Sequence, residues 1–240
     1  MVSAVWRMSP VAFKEMWEQF HYDRLPYPMQ VRSTSPTLGE YADERSVALQ
    51  EAHRTLTEWY EPALTALTNP EVRIEIFGSR RGVPIRLHVG VRGEIACIAA
   101  QQPGVDEDAG GEVGLRAVHS SDVGRALAAT LAVVPGQPQR EWRFTGGRST
   151  ADEQAKEREL ATMFAGGLDA VIPVGILAGP AIDWRSDDSS HTFDIVSVRD
   201  HGDLIVNRAA RQVVSATPER TAKAFDTYVA AVRKIYEGRR

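Results

Sequence analysis

The chain carries the same succession of predicted elements twice, and this repeat limits the folds that it can adopt. In each copy a strand, a glycine turn, two more strands and a capped helix follow one another. The two turns are Arg92-Gly93-Glu94 and His201-Gly202-Asp203, and the two helix entries are residues 118–121 and 214–217. Because strands must pair and helices must bury their apolar stripes, two such halves are expected to share one sheet. We therefore predict an α+β fold: a single quasi-two-fold domain with a central, mostly antiparallel sheet flanked by helical bundles. Its two similar halves are residues 1–140 and 141–240.

The spacing of apolar residues predicts three helices ahead of the first sheet segment. Ser9-Pro10 is typical of a helix start, and apolar residues then recur at helical spacing: Phe13, Met16, Trp17 and Phe20. Two further helices are predicted, from about Asp43 to Trp59 and from Pro62. From Val72 the period falls to two, and turns at residues 79–82 and 92–94 divide the segment that follows. This pattern predicts an antiparallel meander of at least three strands.

The second half begins and ends with a helix start. Thr150, with Glu153 three residues later, has the spacing of a capping box, and Thr217-Pro218 is a second helix start. Between these helices, strands are predicted at residues 172–177, 182–184, 193–198 and 204–206.

Composition excludes several classes of protein. The net charge of −4 and the absence of a Lys/Arg block argue against a nucleic-acid partner. No stretch of about 18 apolar residues is present, so no membrane insertion is expected. The N-terminus lacks the pattern of a signal peptide. The single cysteine, Cys97, lies in an apolar run, so we interpret it as a core residue in a reducing, cytoplasmic compartment.

The titratable residues do not form a recognisable catalytic or metal-binding pattern. The six histidines are scattered, and none has a partner at the i, i+4 spacing of a helical zinc site. The acidic loop at residues 105–111 lacks the ligand spacing of a calcium loop. The segment of residues 146–149 does not have the context of a phosphate-binding loop. We therefore expect no catalytic residues, no metal and no cofactor, and we favour a protein that acts by binding.

Two other functions remain open at this point. One is a small-molecule enzyme or ligand-binding protein with a site between the two halves, where His88 or His119 would meet a carboxylate. The other is an immunity or scaffold protein of similar α+β build. A deep polar pocket would favour the first of these alternatives.

Several segments together resemble a known family. They are Phe13-Lys14-Glu15-Met16-Trp17, residues 24–29, Asp43-Glu44-Arg45, Pro62-Ala63-Leu64, residues 113–118, Ile182-Asp183-Trp184 and residues 213–219. In this order they resemble the EspG-type proteins of actinobacterial type VII (ESX) secretion, over nearly the whole chain. The acidic loop at residues 105–111 departs from the usual pattern of that family.

The resemblance implies a fold, a partner and a contact surface. It implies a quasi-two-fold α+β fold and a cytosolic protein without catalytic residues. It further implies a chaperone that binds PE–PPE heterodimers and shields the apolar tip of the PPE helical bundle, as a monomer or weak homodimer. The contact surface of the family includes the loop between the first two long strands and parts of the C-terminal helical bundle. That loop is here Ser79, Arg80, Arg81, Gly82 and Val83. The alternative for Arg80 and Arg81 is a solvated hairpin tip without a partner.

Overall fold

The computed structural model describes residues 5–33, 35–55, 61–106, 109–145, 150–180 and 190–239. The helices in these ranges are α1 (Pro10–Glu18), α2 (Leu38–Thr55), α3 (Glu61–Thr68), α4 (Val123–Thr130), α5 (Ala151–Ala165) and α6 (Pro218–Glu237). The strands are β1 (Val5–Met8), β2 (Val72–Arg80), β3 (Val83–Arg92), β4 (Ile95–Pro103), β5 (Gly110–His119), β6 (Glu141–Arg143), β7 (Leu168–Ala178), β8 (His191–Val198), β9 (Gly202–Asn207) and β10 (Gln212–Ser215).

All ten strands form one antiparallel sheet, whose order is β1-β5-β4-β3-β2-β7-β8-β9-β10-β6. The pair β2–β7 lies at the centre, and the strands on its two sides follow in matching order. The predicted glycine turns occupy equivalent places, since Gly93 joins β3 to β4 and Gly202 opens β9 after β8. The predicted single α+β domain with a quasi-two-fold sheet is thus confirmed, while the division between residues 140 and 141 stays a prediction.

One face of the sheet is covered by α4 and α6. The alternation that begins at Val72 places Ile74 and Ile76 on this face, and Ile172 and Ile176 of the neighbouring β7 lie beside them. Leu127 of α4 and Phe225 of α6 pack on these strands and are fully buried. This core is therefore built from both halves of the chain.

The opposite face is covered in two separate places. On one side α1 and α3 pack on β3, β4 and β5, where Phe13 and Leu67 meet Cys97 and Leu115, and α2 packs on α1 and β1. Helix α3 lies directly on β3 at Gly90. A Cβ at that position would stand 1.9 Å from the carbonyl oxygen of Ala66, so the close contact requires a glycine. On the other side α5 packs on β8, β9 and β10. The residues of that second contact include Trp142, Leu160, Met163, Val198 and Leu204.

Some boundaries differ from those predicted from the sequence. Helix α2 begins at Leu38 rather than near Asp43, because Thr37 and Glu40 exchange hydrogen bonds that cap its first turn. The edge strands β1 and β6 were not predicted, since four and three residues carry too little periodicity. The predicted strand at residues 182–184 and the predicted end of α2 at Trp59 lie outside the described residues.

Within the described ranges, no helix combines the length and the apolar character that a membrane span requires.

Candidate binding surface

The five residues singled out from the sequence lie together at the end of the hairpin formed by β2 and β3. Arg80 pairs with Val83, so the connection is a two-residue turn of Arg81 and Gly82. Both residues have positive φ, 51° and 78°, as a type I′ turn requires. This turn matches the right-handed twist of the flanking strands, so Ser79 and Val83 belong to the strands and the tip is compact.

Arg80 points to the face that α4 and α6 cover. Its two Nη atoms donate to the two carboxylate oxygens of Asp203, at 3.2 and 3.0 Å. The side chain of Asp203 is fully buried, while that of Arg80 is 22% exposed. Arg80 is therefore neutralised inside the protein, and its guanidinium group is part of the framework of the hairpin.

Arg81 points into solvent, with 78% of its side chain exposed. Its Nε and Nη2 atoms donate to one oxygen of Asp169, both at 3.1 Å, and the Nε of Arg199 lies 3.4 Å from the other oxygen. The Arg81 and Arg199 guanidinium groups hold the pKa of the Asp169 carboxyl below its usual range. Two guanidinium groups share one carboxylate, so this corner of the tip carries a net positive charge.

Four exposed apolar residues form a patch beside the hairpin, on the face that the two helical layers cover only at its sides. This central patch consists of Tyr27, Phe77, Val171 and Pro173. The first three are 53%, 41% and 42% exposed, and the rings of Tyr27 and Phe77 lie 5.8 Å apart. Val171 is opposite Ser79 in register, and the same register sets Pro173 across from Phe77. A contiguous exposed apolar surface of this kind is typical of a protein-binding site.

The buried His88 contacts the segment that carries Tyr27 of the central patch. His88 Nδ1 donates to the carbonyl oxygen of Tyr27 over 2.9 Å, and the ring of Trp17 packs edge-on against the imidazole. Burial lowers the pKa of His88 to about 4, so the ring is neutral near pH 7. The hydrogen bond from His88 therefore holds this segment against β3.

Sequence reasoning missed the central patch because β7 shows no alternation around it. Residues 170–174 are apolar throughout, so nothing in that run tells the covered face from the open one. Phe77 follows the alternation of β2 and lies on the face opposite Ile74 and Ile76. Glu75 and Ser79, two positions before and after Phe77, are polar, and this indicates that an apolar side chain faces outward there.

The residues proposed for a small-molecule site do not come together. The ring partner of His88 is a carbonyl oxygen, and His119 Nδ1 lies 2.7 Å from the hydroxyl of Ser121 at the start of a 3-10 turn. A cavity of about 660 Å³ lies between α4 and α6, away from both histidines. Its lining combines alanines with four charged residues: Arg125, Glu219, Lys223 and Asp226. In the described ranges no three His, Cys, Asp or Glu side chains are grouped as metal ligands would be.

Two segments considered from the sequence fall wholly or partly outside the described residues: the acidic loop, at Glu107 and Asp108, and residues 146–149. The Asp187-Asp188 pair, a few residues before His191 in the chain, also lies outside them. The remaining notable side chain, Cys97, is fully buried, and burial raises the pKa of its thiol to about 12.

Comparison with known proteins shows a relative with the same fold and a matching family. The chain is similar to the Mycobacterium tuberculosis type VII secretion system chaperone EspG5, solved in complex with a PE25–PPE41 dimer. The identity is 12%, 95% of each chain is covered, and the TM-score is 0.54, which shows a shared fold.

Two further structures match at a TM-score of only 0.16, which is too low to indicate a shared fold. They are the 12:0-ACP thioesterase of Umbellularia californica, at 8% identity, and a Lactobacillus plantarum protein assigned as an oleoyl thioesterase, at 12% identity. The first alignment covers 88% of this chain and 93% of the thioesterase, and the second covers 90% and 98%.

The family assignment rests on the sequence itself. No protein with curated annotation matches the chain. The model of the EspG family matches residues 9–235, which is nearly the full length of 240 residues. The chain therefore belongs to the EspG family.

Proposed function

We propose that this chain is a cytosolic chaperone of actinobacterial type VII (ESX) secretion, which binds a PE–PPE-type heterodimer and shields the apolar tip of its PPE helical bundle. The observation that carries the proposal is the central patch, an exposed apolar surface on an otherwise covered sheet face in a member of the EspG family. Such a chaperone acts by binding rather than by catalysis, and it binds its client before export.

The physical basis is the burial of two apolar surfaces against each other. The tip of a PPE bundle exposes apolar side chains that would otherwise associate with other molecules. Phe77 on β2 and Tyr27 on the segment after α1 offer aromatic rings, and such side chains often dominate the binding energy of an interface. Their docking would remove both apolar surfaces from water and so keep the client in solution.

The basic corner of the hairpin adds specificity. Arg81 and Arg199 stand at the rim with one shared carboxylate. We expect a client with an acidic side chain beside its apolar tip, because complementary charges at a rim steer association and fix orientation. Association should then slow as salt concentration rises.

The test begins with the natural partners. The tagged chain is purified from its actinobacterial host, and the proteins that come with it are identified by mass spectrometry. Recovery of a PE–PPE-type pair, as one client per monomeric chaperone, is the expected result. Recovery of an unrelated enzyme subunit or a metabolite, with no helical secretion substrate, would refute the proposed function.

The surface is then tested with the recovered pair by measuring its affinity for single variants. Arg81→Glu and Phe77→Ser should each weaken binding about tenfold or more, which corresponds to roughly 1.4 kcal/mol or more. The matched control for the charge is Arg125→Glu, since Arg125 is also 78% exposed and paired with a nearby aspartate, but lies on α4. The control for the apolar residue is Val47→Ser on α2, where Val47 is 62% exposed. Unchanged affinity in both test variants would move the contact surface elsewhere.

A further inference from the structure

The carboxylate of Asp203 is bound from three separate parts of the chain. It lies near the start of β9, is fully buried, and accepts both Nη groups of Arg80 from β2. It also accepts the hydroxyl of Ser197 from β8 and the backbone N–H of Val134, the latter at 2.9 Å, from the connection after α4. A buried carboxylate with this many donors is held at one place in the molecule.

The backbone of Asp203 is equally constrained. Its N–H donates to the carbonyl oxygen of Val134 at 2.9 Å, and its carbonyl oxygen accepts from Ala216 at 2.8 Å. Gly136 lies against the same residue, since a Cβ there would stand 2.5 Å from the Asp203 carbonyl oxygen. Asp203 is thus a fixed point on the side of the sheet opposite the central patch.

The tip of the hairpin has few other restraints. Its last pair with β7 is Arg80 with Ala170, after which the backbone N–H of Arg81 donates to the carbonyl oxygen of Asp169. The side chain of Arg81 is 78% exposed, so its pair with Asp169 contributes little to holding the tip. The pair of Arg80 with Asp203 is largely buried, and its two parallel hydrogen bonds set an orientation as well as a distance.

We propose that Asp203 is a positioning residue for the client-binding hairpin. Through Arg80 it fixes the direction of the tip formed by residues 79–83, and so sets the affinity for the client without touching it. This proposal rests on the proposed function only for the client; the ordering of the tip is a property of the free protein. It assigns a binding role to a side chain that is wholly buried.

The first experiment measures hydrogen exchange of the backbone amides at residues 79–83 in the free, folded protein. Asp203→Asn keeps the shape of the side chain and removes its charge, so exchange at the tip should rise about tenfold. Amides of β4 and β5 should keep their wild-type rates. Ser197→Ala is the matched control, because it deletes another donor to the same carboxylate but leaves the pair with Arg80 intact. Its tip amides should exchange as in the wild type.

A second variant guards against misfolding of Asp203→Asn. Arg80→Lys keeps the positive charge at a partly exposed position, but a lysine cannot make the two parallel hydrogen bonds to Asp203. It should raise exchange at the tip in the same way. The double variant of Arg80→Lys and Asp203→Asn should exchange no faster than the single variants, because both break one contact. Wild-type exchange at the tip in Arg80→Lys and Asp203→Asn would overturn the proposal.

The second experiment measures the affinity of the same variants for the PE–PPE-type pair. Weaker binding by Asp203→Asn, with wild-type binding by Ser197→Ala, is the expected result. A mobile tip with unchanged affinity would overturn the role of Asp203 in binding, although the chaperone function would stand. If the wild-type protein binds no such pair, the proposed function fails, and the exchange data still decide whether Asp203 orders the tip.

Discussion

Arg80 and Arg81 are neighbours in the chain, yet their guanidinium groups have different environments and different consequences. Arg80 is the last residue of β2 and forms an internal pair with Asp203, whereas Arg81 lies in the turn and faces solvent. Successive strand residues point to opposite faces, so adjacent positions rarely share a role. A substitution of both residues at once would therefore mix a loss of hairpin structure with a loss of surface charge, and Arg81 should be varied alone.

Cys97 should resist thiol reagents for as long as the protein is folded. Burial raises the pKa of its thiol to about 12, so almost no thiolate is present at pH 8, and the side chain has no exposed surface. We expect no labelling by a chromogenic disulfide reagent in native buffer and complete labelling in concentrated urea. The exposed variant Ser79→Cys, which adds a second thiol at the hairpin, should take up one equivalent at once. Rapid labelling of the native wild-type chain would contradict the buried position.

The start of helix α5 is fixed partly by a residue outside the helix. Thr150 and Glu153 form the capping box that their spacing predicts. Glu153 in addition accepts the backbone N–H and the hydroxyl of Thr145, at 2.7 and 2.8 Å. These bonds attach the start of α5 to the segment after β6, and no helix pattern in the sequence predicts them.

Replacement of Glu153 by Gln should lower the stability of the fold in a pH-dependent way. The hydrogen bonds from Thr145, and then that from Thr150, hold the pKa of Glu153 at about 2, against an ordinary value of 4.5. Because the folded-state pKa is depressed, the carboxylate contributes its full stabilisation above pH 4.5, and this contribution is lost as the pH falls towards 2.

Urea unfolding of Glu153→Gln and wild type at several pH values measures this effect. The midpoint of the variant should lie below that of the wild type at pH 7, and the difference should shrink between pH 4.5 and 2. Glu157→Gln on the exposed side of α5 makes the same change of charge and should have little effect. A difference for Glu153→Gln that is constant with pH would show that the charge of the cap is not involved.

At the scale of the whole molecule, the two halves of the sheet depend on each other. The central pair β2–β7 joins them, and the core under α4 and α6 draws Val72 and Ile74 from one half and Ile172 and Ile176 from the other. Helices α4 and α6, which come from different halves, also pack together: a Cβ on Gly124 would stand 2.2 Å from the carbonyl oxygen of Ala222. The repeat in the sequence is therefore expected to represent one folding unit.

Neither half should fold alone. A chain of residues 1–140 would leave the edge of β2 unpaired and expose the apolar side chains that β7 covers. A chain of residues 141–240 would leave the edge of β7 unpaired and expose the apolar side chains that β2 covers. We expect neither fragment to show a cooperative urea transition by circular dichroism, and we expect co-expression to restore one. A sigmoidal transition of either fragment by itself would indicate two independent domains.

The sequence by itself determined most of the elements and their order, though not the short edge strands β1 and β6, because caps and periodicity are local. Thr150, Thr217 and the alternation from Val72 each predict an element from a few neighbouring residues, and the repeat of the elements predicts one shared sheet. It also indicated the hairpin of residues 79–83, since Gly82 follows two arginines between two alternating runs.

Only the tertiary structure decided which residues of these elements meet and which stay exposed. The partner of Arg80 is 123 positions away in the chain, at Asp203. The central patch exists because the layer of α1–α3 and the layer of α5 leave the middle of one sheet face open, which brings Tyr27 to Phe77 and sets Val171 beside them. Such contacts depend on strand order and register across the whole sheet, and no local pattern carries that information.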